Sequence, residues 1–226
     1  MKTALYLASL LALIFASLFV RFESLPLLPL PYVHYIFKPL TMLSIITITL
    51  LGMKSNPSFY SWGILTGLLF SLAGDICLMW PDNAFLAGLI SFLFAHFCYI
   101  ASFQWKNQLQ VSLIFSLLLL GSSVGFFLWL KPFLGPMKIP VLFYTLSLST
   151  MVWMAYHRWK ALKNLSGLLA FIGSVLFMSS DMSLALQHFK GNYSGAVLLI
   201  FATYFTAQYL IALSTHAWTN AKKIEV

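Results

Sequence analysis

Two aspartates lie inside long apolar stretches of the sequence. Asp75 falls within residues 59–80 and Asp181 within residues 166–187. An ionised carboxylate in hydrocarbon is costly, so acidic residues in membrane spans face the bundle interior, find a partner and mark functional sites. The remaining acidic residues fall in predicted loops or in the tail: Glu23, Asp82 and Glu225. Asp75 and Asp181 are therefore the predicted functional pair.

Two embedded carboxyl groups fit acid–base chemistry. Burial favours the neutral form of one group, whereas a nearby cation or hydrogen bond keeps the other ionised, which separates an acid from a base. Lys38, inside the second apolar stretch, is the candidate counter-ion, and the alternative is that its ammonium group snorkels to the outer headgroups. The structural alternative for the aspartates is hydrogen bonding to a neighbouring helix or contact with interfacial water.

Six further polar residues are predicted to bind substrate beside the aspartates. They are Lys38, His96, Tyr99, Tyr144, Tyr204 and Gln208. At ~1.5 Å of rise per residue, Lys38 and Tyr144 reach about the depth of the aspartates and the other four lie deeper, so the polar groups trace a funnel that opens outward. Helical spacing places His96 with Tyr99, and Tyr204 with Gln208, on shared faces. A hydrogen-bonded packing role explains His96 equally well.

Other chemistries find little support in the sequence. A serine nucleophile elbow, an HExxH motif and a CxxC motif are absent, and His96 has no second histidine at metal-ligand spacing, so neither a metal nor an organic cofactor is predicted. Cys77 and Cys98 both fall inside apolar stretches, which predicts no disulfide framework. Contact with water near span ends explains the remaining histidines: His34, His157, His188 and His216.

The composition indicates a helical membrane protein. Of 226 residues, 61% are hydrophobic and only 8% are charged, against roughly a quarter charged in a soluble domain. The apolar residues form blocks of about 20, the length that spans ~30 Å of hydrocarbon. The alternation of apolar and polar residues that is typical of β-barrel strands is missing from the sequence. The net charge of +8 comes from basic residues at block ends, where they meet lipid phosphates, so no nucleic-acid partner is predicted.

The apolar blocks predict an all-α bundle of eight transmembrane helices. The connecting loops are short and rich in turn residues, so the prediction is one integral membrane domain over residues 1–226. The first block is interpreted as a span because it is longer than a typical signal-peptide core. The predicted spans are 4–20, 33–53, 59–80, 84–104, 109–130, 139–157, 166–187 and 193–213.

Basic residues in the loops predict the orientation. One side carries eight of them: Lys2, Lys54, Lys106, Arg158, Lys160, Lys163, Lys222 and Lys223. The other side carries four: Arg21, Lys131, Lys138 and Lys190. The more basic side faces the cytoplasm, so both termini are predicted to be cytoplasmic. The short loops fit a bacterial inner membrane, and an internal eukaryotic membrane is the alternative.

A weak internal similarity connects the two halves. An offset of 106 residues carries Asp75 onto Asp181 and Lys38 onto Tyr144. This pattern is what a parallel duplication of four helices would leave, with the halves meeting around a central site. Chance similarity between helices rich in small residues explains it equally well.

The embedded residues together resemble the YhhN family of lysoplasmalogenases. The motifs that carry the resemblance are Phe37-Lys38-Pro39-Leu40, Gly74-Asp75, Ala95-His96-Phe97-Cys98-Tyr99, Ser179-Ser180-Asp181 and Ala207-Gln208-Tyr209. None is specific alone, but they occur in the family's order across spans two to eight.

The resemblance implies a hydrolase of the vinyl ether bond of lysoplasmalogen. The implied products are a fatty aldehyde and a glycerophospho-head group such as glycerophosphocholine or glycerophosphoethanolamine, with Asp75 and Asp181 as catalytic residues. The implied partners are the lysophospholipid substrate and membrane lipids. A proton-coupled transporter of a small molecule or lipid is the alternative, because embedded carboxylates and a parallel repeat also fit a carrier.

Overall fold

A computed structural model describes most of the chain. The backbone is described for residues 2–24, 33–54, 57–80, 84–104 and 112–224, and side chains for 4–17, 35–54, 57–80, 84–104 and 112–218. Some residues used in the sequence predictions lie outside the described residues: Asp82, Lys106 and Glu225. For others only the backbone is described: Lys2, Arg21, Glu23, His34, Lys222 and Lys223.

Eight α-helices form the described structure, which confirms the predicted all-α class. They are α1 (Lys2–Ser24), α2 (Val33–Met53), α3 (Phe59–Met79), α4 (Phe85–Phe103), α5 (Leu113–Leu130), α6 (Lys138–Leu162), α7 (Leu165–Lys190) and α8 (Ala196–Ile224). Seven of them, α2 to α8, are long and apolar enough to cross a membrane. The apolar part of α1 over described side chains, Ala4–Ser17, is shorter.

Four helices run past the predicted spans. α1 extends to Ser24, α6 and α7 extend to Leu162 and Lys190, and α8 extends to Ile224. The apolar pattern ends where the hydrocarbon ends, whereas backbone hydrogen bonding continues into the polar layer. Two short 3₁₀ turns, Lys131–Phe133 and Gly135–Met137, occupy the predicted loop between α5 and α6.

Polar residues at the helix ends set these boundaries. The Ser58 hydroxyl accepts from the Ser61 backbone N–H, and the Ser61 side chain bonds back to the Ser58 backbone, which is a capping box at the start of α3. The Asn164 side chain accepts from the Gly167 N–H at the start of α7. Lys163, with φ of 49°, ends α6 in the left-handed region and turns the chain directly into α7.

Six helices surround the interior of the bundle. α3 packs on α4 and α7 packs on α8, while α2 contacts both α3 and α8, and α6 contacts both α4 and α7. α5 packs on α6 at the periphery, with 11% of its span buried. If the chain is divided into α1–α4 and α5–α8, α2 corresponds to α6 and α8 corresponds to α4. The contact of α2 with α8 then has its counterpart in the contact of α6 with α4. The duplication itself stays a prediction.

Two residues that were expected to contact water or to lie in a loop are buried instead. His157 is 2% exposed: its Nδ1 bonds the Trp153 carbonyl at 2.7 Å and its Nε2 accepts from the Ser112 backbone N–H at 3.3 Å. Arg158, counted above among loop cations, is 1% exposed. Its guanidinium group lies over the Tyr60 ring, 4.0 Å from the centroid. Both side chains fasten helix ends together, so the expectations for them were wrong.

Arg158 also connects the ends of three helices. Its Nη2 donates to the Ser166 hydroxyl at 2.9 Å, and that hydroxyl donates to the Ser214 carbonyl at 2.8 Å. The guanidinium carbon lies 5.5 Å from the Trp218 ring centroid. Cation–π contact and a charge-assisted hydrogen bond thus hold α6, α7 and α8 together at the end of the bundle nearer the chain termini.

Gly173 lies where α7 and α8 approach each other closely. A Cβ atom built there would lie 2.9 Å from the carbonyl oxygen of Ala207 and 2.8 Å from Cγ1 of Ile211. Favourable carbon contacts need roughly 3.5–4.0 Å, so only glycine lets the two backbones meet. Helix pairs in membranes associate through such small residues.

Gly173→Ala is expected to destabilise the protein by about 1–3 kcal/mol, the usual cost of overpacking. Thermal and chemical unfolding in detergent measure this. Gly121→Ala on α5 is the matched control, because nothing lies within 4 Å of its added Cβ atom; it should be neutral or slightly stabilising. Equal stability of the two variants would contradict the tight α7–α8 contact.

Candidate active site

Asp75 on α3 is held by one cation and one hydroxyl group. Its Oδ1 lies 3.0 Å from Lys38 Nζ on α2, and the two side chains are 2% and 6% exposed. Tyr204 on α8 donates its hydroxyl to Oδ2 at 2.6 Å. Lys38 therefore points inward to a carboxylate, and a cation–π contact of its Nζ, 5.1 Å from the Phe201 ring centroid, adds support.

Asp181 on α7 has a different environment. Tyr144 on α6 donates its hydroxyl to Oδ2 at 2.6 Å. His96 on α4 points its Nε2 at the same oxygen from 3.8 Å, too far for a hydrogen bond. Among the residues with described side chains, no lysine or arginine pairs with Asp181. The side chain is 9% exposed.

The residues that contact the two carboxyl groups come from corresponding helices. Each is held by a residue on the helix that precedes its own. Lys38 on α2 holds Asp75 on α3, and Tyr144 on α6 holds Asp181 on α7. Each is also approached by the last helix of the other half, through Tyr204 on α8 for Asp75 and His96 on α4 for Asp181. The chemical types differ, so one carboxyl group meets a cation and the other does not.

Ser147 controls the orientation of His96. The Ser147 hydroxyl bonds the Tyr144 carbonyl at 2.8 Å and lies 3.0 Å from His96 Nδ1. A hydroxyl group has one proton, so donation to the carbonyl leaves its oxygen to accept from Nδ1–H. The lone pair of the neutral ring then lies on Nε2, which is buried without a hydrogen-bond partner among the described residues.

A second polar group lies deeper, between α4 and α8. Tyr99 donates its hydroxyl to Gln208 Oε1 at 2.9 Å, and Ser71 lies 3.4 Å from the same hydroxyl. The Tyr99 ring packs on Gly67, where a Cβ atom would come within 2.3 Å of the ring. Glycine on α3 is thus what admits the tyrosine into the bundle centre.

Phe177 closes the site on its inner side. It is fully buried, one turn before Asp181 on α7. Its ring lies 5.2 Å from the His96 ring and 5.7 Å from the Tyr204 ring. Phe177 therefore packs directly against two residues that reach the carboxyl groups.

A chamber of about 390 Å³ connects the carboxyl groups with one end of the bundle. Lys38, Asp75, Asp181 and Tyr204 line it. Its outer wall includes three polar residues at or beyond the end of α7: Gln187, His188 and Asn192. The chamber reaches the bundle end where α3 and α7 finish and α2, α4 and α8 begin.

A narrow apolar slot of about 50 Å³ meets the chamber at Asp181. Tyr144 and Asp181 are among its few polar lining residues. The rest of its lining is mostly aliphatic and aromatic, including Leu89, Phe126, Val141, Leu148, Met178 and Met182. Asp181 therefore lies between a polar and an apolar space.

The structure brings all eight sequence-predicted site residues into this one region. Asp75, Asp181, Lys38, Tyr144 and Tyr204 line the chamber or the slot, and His96, Tyr99 and Gln208 lie behind them. Five further residues at or near the site were not predicted from the sequence: Ser147, Phe177, Gln187, His188 and Asn192. His188 was explained by water contact, although it follows Asp181 by seven residues and so shares its helix face.

The described cysteines and acidic side chains offer no metal site. Cys77 and Cys98 are free. In the part of the chain that the structure describes, no three His, Cys, Asp or Glu side chains converge. The groups that the site does offer are two carboxyl groups in contrasting environments, hydroxyl donors and an imidazole, which is a set suited to proton transfer.

The family follows from a comparison of sequences. The sequence model of the YhhN family matches residues 33–215, which include every helix that builds the site. The chain belongs to the YhhN family. No solved structure matches it.

Curated relatives of this YhhN-family chain include mammalian and bacterial proteins. It is 35% identical to lysoplasmalogenase TMEM86B of Sus scrofa over 69% of the chain, and spans 64% of that protein's length. It is also 35% identical to lysoplasmalogenase TMEM86B of Homo sapiens, over 73% of the chain and 68% of the relative. The membrane protein YhhN of Escherichia coli is 28% identical over 81% of the chain and 87% of the relative.

Lys38→Met is expected to destabilise the protein by about 3 kcal/mol, because it leaves a buried carboxylate without its counter-ion. Asp75→Asn in the Lys38→Met background should restore most of the loss, since Tyr204 can still donate to the amide oxygen. The coupling between Lys38 and Asp75 is measured by unfolding four proteins in detergent: the wild type, the two single variants and the double variant. Additive losses in the double variant would rule out the ion pair as the source.

Proposed function

We propose that this YhhN-family chain hydrolyses the vinyl ether bond of a lysoplasmalogen. The products would be a fatty aldehyde and a glycerophospho-head group, glycerophosphocholine or glycerophosphoethanolamine. One observation carries the proposal: Asp75 with a cation and Asp181 without one line the same chamber, where it meets an apolar slot. The name lysoplasmalogenase of the mammalian relatives supports the same reaction.

Vinyl ether hydrolysis needs an acid and then a base. A proton adds to the carbon β to the ether oxygen and gives an oxocarbenium ion. Water adds to the cationic carbon, and the resulting hemiacetal collapses to an aldehyde and an alcohol. One water is consumed, and the proton released from it returns to the acid. Glycosidases solve the related problem with a pair of carboxyl groups.

Asp181 is the proposed acid. It lies in a largely buried environment where no lysine or arginine among the described residues pairs with it, which favours its neutral form. The lone pair on Nε2 of neutral His96 faces its Oδ2, and a proton on the carboxyl group relieves the repulsion between them. The adjoining apolar slot would hold the alkenyl carbons next to this proton.

Asp75 is the proposed base. Its ion pair with Lys38 and its hydrogen bond from Tyr204 keep the carboxylate ionised inside the bundle. A carboxylate there stabilises the oxocarbenium ion and accepts a proton from the attacking water. Tyr99 and Gln208 would help to position that water. The chemistry requires neither a metal nor an organic cofactor.

We also propose how the chain lies in the membrane. The seven long apolar helices and the membrane-protein relatives support an integral membrane protein. A single domain over residues 1–226, a bacterial inner membrane and cytoplasmic termini are proposed from the loop lengths and charges. With Arg158 removed from the loop cations, the predicted cytoplasmic side still carries the larger number.

The alternative from another class is a proton-coupled transporter. Its carboxyl groups would take up and release protons between two compartments. A hydrolase turns over its lipid in detergent micelles, whereas transport needs a sealed membrane. A folded wild type that leaves lysoplasmalogen intact in detergent would therefore favour the transporter.

Asp75→Asn and Asp181→Asn are each expected to lower aldehyde release by about 10²–10⁴-fold, the contribution of a positioned acid or base. The assay is aldehyde release from a lysoplasmalogen by purified protein in detergent. The lysophospholipid with an acyl linkage is the substrate control. Thermal unfolding reports that each variant is folded.

Thr47→Val is the matched control variant for that experiment. Thr47 lies on the lipid-facing side of α2, and its hydroxyl bonds the Leu43 carbonyl. The substitution removes a polar group from a span without touching the chamber, so activity should stay at the wild-type level. A fully active Asn variant at either aspartate would end the acid–base mechanism.

Infrared spectroscopy separates the roles of the two aspartates. The wild type is expected to show the C=O stretch of a protonated carboxyl group at neutral pH, because loop carboxylates are ionised there. Asp181→Asn should remove this band, and Asp75→Asn should leave it in place. The reverse pattern would exchange the acid and the base.

A further inference from the structure

The outer part of the chamber has polar groups that the proposed reaction does not use. Gln187, His188 and Asn192 line the chamber together with Asp181. Lys38, the cation nearest to the carboxyl groups, is engaged by Asp75 at 3.0 Å. The polar side chains at the outer end of the chamber that are open to an anionic group of a bound molecule are these three.

His188 continues the face of α7 that carries Asp181; Gln187 precedes it on the helix, and Asn192 lies two residues beyond the helix end. The chamber lining includes Asp181, Leu184 and His188. Successive members of this set are three and four residues apart, so they lie on one face of the helix. Six and seven residues of helix place Gln187 and His188 roughly 9–10 Å beyond Asp181 along the axis. α7 can present them because it continues to Lys190.

The amide groups are oriented to donate. Gln187 Nε2 donates to Asn192 Oδ1 at 2.9 Å. This bond fixes the Asn192 amide with its oxygen toward Gln187, so the Asn192 NH₂ group keeps both protons for another acceptor. Donor groups of this kind suit phosphate oxygens.

His188 is fixed by stacking. Its ring lies parallel to that of Phe85, with centroids 3.6 Å apart and an angle of 3° between the planes. The edge-on Phe189 ring, with its centroid 4.8 Å away, is its other ring contact. Stacking uses the ring faces and leaves the nitrogen atoms at the edge. Neither nitrogen has a hydrogen-bond partner among the residues that the structure describes.

The geometry of the substrate fits this distance. In a lysoplasmalogen, seven bonds separate the carbon that receives the proton from the phosphorus atom. At about 1.2 Å per bond for an extended chain, they span roughly 8 Å. A carbon placed at Asp181 thus puts the phosphate near Gln187 and His188, which lie roughly 9–10 Å farther along α7.

We propose that Gln187, His188 and Asn192 form a subsite for the phosphate of the lipid head group. This inference rests on the proposed function for the identity of the lipid. His188 and Asn192 donate hydrogen bonds to the phosphate oxygens, and Gln187 orients Asn192. The subsite sets the depth at which the substrate enters, and therefore which bond of the chain reaches Asp181.

The test compares two ligands that share a chain and differ only in the phosphate. They are 1-O-hexadecylglycerol 3-phosphate and 1-O-hexadecylglycerol, whose alkyl ethers lack the vinyl group and are not substrates for the proposed reaction. Binding to purified protein in detergent gives their Kd values. The wild type should bind the phosphate ligand more tightly. His188→Ala and Asn192→Ala should each weaken it about 10-fold, which corresponds to a hydrogen bond to a charged group.

His216→Ala on α8 is the matched control, because His216 lies at the opposite end of the bundle from the chamber. It should leave both Kd values unchanged. His188→Ala and Asn192→Ala should leave the Kd of hexadecylglycerol unchanged as well. Equal weakening of both ligands, or no change in either, would overturn the phosphate subsite.

The binding test is independent of turnover. Phosphate-selective binding that His188→Ala removes, in a protein that leaves lysoplasmalogen intact, would support the subsite and overturn the proposed hydrolase. Aldehyde release from lysoplasmalogen without any preference for the phosphate ligand would support the hydrolase and overturn the subsite.

Discussion

Keeping two carboxyl groups inside a membrane bundle is the constraint on which the rest of the structure depends. Hydrocarbon offers no hydrogen-bond partners for charge and lone pairs, so protein groups must supply them. For Asp75 these groups are Lys38 and Tyr204, and for Asp181 they are Tyr144 and, at a longer distance, His96. Because they come from α2, α4, α6 and α8, the positions of four helices are tied to two side chains.

The difference between the two carboxyl environments is what the proposed mechanism uses to separate an acid from a base. Two equivalent carboxylates would repel each other and offer no acid, whereas a cation beside one of them stabilises charge there and leaves the other to hold a proton. Lys38 supplies that cation beside Asp75. Ser147 adds to the difference, because it turns the Nε2 lone pair of His96 toward Asp181.

The sequence predicted much of this arrangement because hydrocarbon imposes simple rules. Apolar blocks of about 20 residues gave the helices, and polar residues inside them, such as Asp75 and Gln208, gave the members of the site. Contacts between distant helices carry no such signal. Ser147 resembles any helix serine in the sequence, and Arg158 at a span end resembles a loop cation until the Tyr60 ring is seen beneath it. His188 was missed because a helix end can face either water or a chamber.

Each carboxyl group is supported from both halves of the chain, across the contacts of α2 with α8 and of α4 with α6. A lipid that wedges into either contact separates one support from its carboxyl group. The geometry around both carboxyl groups therefore depends on how tightly these helices are packed, which would make the proposed proton transfer sensitive to the lipid around the bundle.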